Sequence, residues 1–109
     1  MKKHEKASVS HDAVLVRQLK KNPALAAEYL RAAMEEGDEP AEILLALRHV
    51  AEAYGMAQVA AEAGIKRESL YRVLSPKGNP TLRTIQAVAK SVGVRLSFEP
   101  IEIPPRAHV

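Results

Sequence analysis

The chain contains no cysteine and no tryptophan, and its 109 positions hold only three tyrosines and one phenylalanine. Without cysteine there is neither a disulfide framework nor a thiolate metal site, which fits a reducing compartment. With so few rings, the core must be built from Leu, Val, Ile and Ala, a composition that favours helices. No apolar run approaches the roughly 20 residues needed to span a bilayer. The opening Met1-Lys2-Lys3-His4-Glu5-Lys6 is charged and no apolar stretch of the secretory kind follows it. The expected setting is therefore cytoplasmic. Catalytic signatures are missing as well: there is no HExxH, glycine-rich phosphate loop or paired-carboxylate arrangement. The four histidines, His4, His11, His49 and His108, are scattered, and His49 is expected to be a surface or packing residue. Neither an enzyme nor a cofactor is expected.

What is present is uneven charge. The net charge is only +3. Residues 1–21 carry six basic and two acidic side chains, residues 28–52 carry two and seven, and residues 64–90 carry six and one. A basic block of this kind is a candidate polyanion surface, although mixed charge also simply solvates helices. The expected organisation is a basic, mobile segment over 1–21, a helical domain over 22–100 and a Pro-rich tail over 101–109.

The apolar spacing predicts an all-α bundle of about five helices. A short helix is expected over Ala13–Lys20. Asn22-Pro23 reads as a cap followed by proline at the first helical position, opening a helix to Glu36 with Leu25 and Tyr29 on its inner stripe, Leu30 and Met34 beside it, and Gly37 as its stop. Asp38 is the expected cap of a helix over 39–54, with Ile43, Leu47, Val50 and Tyr54 at helical spacing. Helices over 56–63 and 66–74 follow. Asn79-Pro80 is expected to restart the last helix, which carries Leu82, Ile85, Val88, Ala89 and Val92 and stops at Gly93. Val94-Arg95-Leu96-Ser97-Phe98 alternates as a strand does. A lone strand needs a partner, so it either pairs with the same strand of a second subunit or covers the core as a tail.

The segment Met56–Ser75, MAQVAAEAGIKRESLYRVLS, meets the demands of a helix-turn-helix. Ala60 allows two short helices to cross closely, and Gly64, four residues on, supplies the turn. Val59, Ala63, Ile65, Leu70 and Val73 provide the apolar positions, while Lys66, Arg67, Glu68, Ser69, Tyr71 and Arg72 occupy the outer face of the second helix. A plain alanine-rich hairpin is the alternative, but it has no need of a basic outer face. In helix-turn-helix docking the second helix lies in the major groove of double-stranded DNA, its N-terminal residues at base edges. Arg67 is the leading base-reading candidate, because its fork matches guanine. Lys66 and Glu68 come next, and Glu68 serves equally well as a first-turn acid. Ser69, Tyr71 and Arg72 suit phosphates, with packing as the alternative for Tyr71. Lys77 and Asn79 follow in the loop.

These residues resemble a known family. Glu28-Tyr29-Leu30, Ala33–Asp38, Leu47–Ala51, Gly55–Ala60, Arg67–Pro80 and Leu96–Pro100 are similar to HigA-like antitoxins of addiction modules, which carry an XRE/Cro-type helix-turn-helix. The resemblance implies a lambda-repressor-like helical bundle with a short C-terminal strand, working as a homodimeric repressor of its own operator. It also implies a partner, a RelE/ParE-like toxin. Such toxins are basic because they engage RNA, so Glu35, Glu36 and Glu39 of the acidic block become candidate toxin-binding residues; a solvated surface is the alternative. One position departs from the pattern. Many such motifs carry a glutamine four residues before the alanine, where this chain has Met56, and its glutamine is Gln58. Two rival readings use the same residues: a stand-alone XRE-type regulator without a toxin, and a helix-turn-helix reused as a protein-interaction module. Retained basic residues at 66, 67 and 72 argue against the second.

Overall fold

A computed structural model of the chain describes residues 11–20 and 22–103. Among these residues the chain is all-helical, with six helices in order: α1 His11–Leu19, α2 Pro23–Glu36, α3 Pro40–Tyr54, α4 Met56–Ala63, α5 Arg67–Val73 and α6 Leu82–Ser91. The expectations for residues 1–10 and for Pro104 onward lie outside the described residues.

Local chemistry sets the boundaries. Asn22 caps α2 as expected: its Oδ1 accepts the Leu25 N–H at 3.0 Å, with Pro23 at the first helical position. The cap of α3 is Glu39 rather than Asp38, and it makes no side-chain bond. Pro40 holds the frame here, because the residue before a proline is driven to the extended conformation that a cap adopts. The start of α6 also departs from expectation. Asn79 and Pro80 stay in the loop, and Thr81 caps the helix by accepting the Thr84 N–H at 3.1 Å.

The core forms where α1 and α2 pack on α3, α3 continues into α4, and α4 packs on α5 and α6. Its fully buried side chains are small and aliphatic, including Leu19, Val50, Val59, Leu70, Leu74, Val88 and Val92. On α2 one of the five alanines, Ala26, is fully buried, while Leu25 and Met34 are exposed. His49 is the exception to an apolar interior: it is buried, and a 2.6 Å hydrogen bond joins its Nδ1 to the Tyr29 hydroxyl.

The expected strand over Val94–Phe98 is not formed, and residues 94–103 carry no regular secondary structure. The physical reason is the missing neighbour: a strand's N–H and C=O groups need a ladder, and there is no other strand among the described residues. The segment is nevertheless tied at its root, where the Val94 N–H donates to the Ala89 carbonyl at 2.9 Å and the Val94 side chain packs against the core.

Candidate nucleic-acid interface

The geometry of the two short helices begins at the turn between them. Gly64 takes the left-handed conformation at φ 77°, which glycine adopts without a Cβ penalty. The Gly64 N–H donates to the Ala61 carbonyl at 3.2 Å and the Ile65 N–H to the Ala60 carbonyl at 3.0 Å, a paired closure of the Schellman kind. Ala60, buried at the crossing, leaves room for α5 to approach.

Burial then divides α5 into two sides. Leu70 and, just past the helix end, Leu74 are fully buried. Lys66, Arg67, Glu68 and Arg72 are exposed, and Ser69 and Tyr71 are partly buried. Ser69 and Arg72 are neighbours, with Arg72 Nη2 donating to Ser69 Oγ at 3.4 Å. Lys77 and Asn79 are exposed on the loop leaving α5. That loop is shaped by two bonds and one tight contact. Ser75 Oγ donates to the Arg72 carbonyl at 2.7 Å, and the Gly78 N–H to the Ser75 carbonyl at 2.8 Å. A Cβ on Gly78 would collide with the Val73 carbonyl, so the chain passes there only as glycine.

Tyr71 shows the packing that was the alternative for it. Its ring packs against the core cluster, and two guanidinium groups lie near it, Arg67 at 5.7 Å and Arg48 at 5.6 Å from the centroid. Both separations are within the range of cation–π attraction. Arg48 was not legible as a neighbour of α5, because it belongs to the acidic 28–52 block of the sequence. On α3 it also pairs with Glu52, Nε to Oε2 at 3.1 Å. Met56 is buried, whereas Gln58 is exposed and donates to Glu62 Oε2 at 3.3 Å.

The acidic candidates lie elsewhere. Glu35 and Glu36 end α2 and Glu39 caps α3, all three exposed at one corner. Beside them is an open concavity of about 320 Å³, lined by Tyr29, Ala32, Ala33, Glu36, Gly37 and Glu42. Glu42 was missed in the sequence; it is one turn into α3 from the corner. Among the described residues no cluster of His, Asp and Glu is arranged to hold a metal, and no helix is long and apolar enough to cross a membrane.

Comparison with known proteins adds a family. A family model described as probable addiction module antidote protein matches residues 11–100. An uncharacterized protein of Haemophilus influenzae strain Rd is 41% identical over 71 residues, which cover 65% of this chain and 72% of that protein. No solved structure matches.

Proposed function

The chain belongs to the family of probable addiction module antidote proteins, and from that premise we propose that it is the antitoxin of a type II toxin–antitoxin module, an XRE-type, HigA-like repressor of its own operon. Antidotes act by binding, and the chain is not an enzyme. In this reading the protein works in the cytoplasm as a homodimer on double-stranded operator DNA, and it neutralises a RelE/ParE-like toxin.

The observation that carries the DNA-binding half is the two-sided segment formed by α5 and its two caps: Leu70 and Leu74 are fully buried while Lys66, Arg67 and Arg72 remain exposed. Arg67 and Lys66 read base edges, with Glu68 as a cytosine acceptor. Ser69, Tyr71, Arg72, Lys77 and Asn79 contact phosphates and set the register. The test is a gel-shift titration with the DNA upstream of the gene at two salt concentrations, comparing wild type with Arg67→Ala. Specific binding that weakens with salt and is weakened further in the variant, by about 1–3 kcal/mol, supports the reading. Absence of specific binding, alone and with the toxin present, refutes it.

The toxin-binding half rests on the acidic corner. Glu35, Glu36 and Glu39, beside the concavity that Glu36 and Glu42 line, attract a basic RNA-engaging partner. Changing Glu35, Glu36 and Glu39 together to lysine should abolish toxin capture and leave operator binding intact. Undiminished capture would remove this corner from the interface.

A further inference from the structure

We propose that residues 94–100 form an antiparallel two-stranded ribbon with the same residues of a second copy of this chain, centred on Ser97. The segment has the alternation of a strand but no ladder. Its apolar side chains emerge progressively, from Val94 packed at the core, to Leu96 at 44% exposure, to Phe98 at 100%. A fully exposed phenylalanine among so few aromatics is the unpartnered end of that series.

The occupant follows from self-complementarity. In a symmetric antiparallel pair, facing residues lie on the same face and at equal distances from the two-fold axis. With the axis at Ser97, Arg95 faces Glu99 of the second copy and Glu99 faces its Arg95, so two opposite-charge pairs form on one face. On the other face Leu96 faces Phe98, and Val94 faces Pro100. Moving the axis to Leu96 sets Arg95 against Ser97; moving it to Phe98 sets Arg95 against Ile101. Axes at 95 or 99 put like charges together. Ser97 alone matches charge with charge and apolar with apolar.

Pro100 agrees with this register. It has no N–H, so it must occupy a non-hydrogen-bonded position. Where Ser97 exchanges both bonds with its counterpart, the alternation makes Arg95–Glu99 a bonded pair and leaves Val94–Pro100 and Leu96–Phe98 as the closer, non-bonded pairs. Phe98 is thereby carried across to Leu96 and Val94 of the second copy, next to that copy's core. In the single chain Glu99 is 4.0 Å from Arg31, with both side chains largely exposed. Such a contact is worth little and is exchanged for Arg95.

The ribbon deepens the dimeric-repressor reading and rests on it for its use, but its test involves no DNA, so the two fail separately. Sedimentation equilibrium on the full chain, without toxin, compares wild type, Arg95→Glu, Glu99→Arg and the double exchange. All substituted side chains are exposed, and helicity by circular dichroism checks the fold. Wild type is expected to dimerise. Each single variant sets like charges opposite each other at both pairs and weakens the dimer by about tenfold or more, and the double exchange restores it. Because the chain has no cysteine, Ser97→Cys should form a disulfide-linked dimer on oxidation. Arg95→Cys should not, its copies being offset by four residues, roughly 14 Å at about 3.4 Å per residue. A monomeric wild type, equal dimerisation of all four proteins, or failure of the double exchange to restore it overturns the proposal. So does linkage of Arg95→Cys without Ser97→Cys.

Discussion

The hydroxyl of Tyr29 and Nδ1 of His49 are joined by a 2.6 Å hydrogen bond, with their ring centroids 5.9 Å apart. The pair ties α2 to α3 at His49, the buried polar side chain among the described residues of an otherwise apolar interior. Tyr29→Phe keeps the ring and removes the bond. It should lower unfolding free energy by about 1–2 kcal/mol, read from the urea midpoint, because a buried polar atom loses its partner. An unshifted midpoint would mean that the bond contributes nothing net.

Two glycines near the candidate interface should respond differently to alanine. At Gly64 there is open space for a Cβ but the φ is positive, so Gly64→Ala should cost about 1–2 kcal/mol from backbone strain alone. At Gly78 the φ is ordinary but the Cβ meets the Val73 carbonyl. Gly78→Ala must therefore displace the loop carrying Lys77, and it should lower both thermal stability and operator affinity. Equal effects of the two variants on DNA binding would contradict this separation.

The cap of α6 can be checked by a pair of substitutions. Thr81→Ala should destabilise the protein by about 1 kcal/mol through loss of the bond to the Thr84 N–H. Asn79→Ala should leave thermal stability unchanged, since Asn79 lies outside the helix. The reverse ranking in a thermal melt would restore Asn79 as the cap.

On the proposed operator, Arg67→Ala should cost about 1–3 kcal/mol at the base pair it reads and relax preference there. Lys77→Ala should weaken binding to all sequences alike and reduce the slope of log K against log salt by about one. These are measured by competition titrations against single-base operator variants and by a salt series. A sequence-selective effect of Lys77→Ala would move it from phosphate to base.

The two short helices α4 and α5 and the turn between them were legible because their constraints are local: Ala60, Gly64 and the buried Leu70 fall at short spacings that one reading window contains. Asn22-Pro23 was legible for the same reason. Position 79 misled because Asn79 and Thr81 are both competent caps two residues apart, and it is Thr81 whose hydroxyl meets the Thr84 N–H. The contacts of Tyr29 with His49 and of Arg48 with Tyr71 join distant parts of the chain, and no periodicity announces them. Arg48 was also concealed by the acidic residues that surround it in sequence. The strand pattern at 94–98 was readable, but a ladder requires a second strand that the described residues of a single chain do not supply.

The seven-residue length of α5 has a consequence for how the protein opens. Isolated helices of fewer than about 12 residues are marginal in water, so α5 owes its existence to Leu70 and Leu74 seated in the core. The amides from Leu70 onward, which are hydrogen-bonded within the turn, should therefore exchange with solvent only when the core around them opens, at rates close to those of global opening. The helix proposed to read DNA is thus no separate cooperative unit. It melts with the domain, and a partner or protease that opens the core erases the reading surface in the same event.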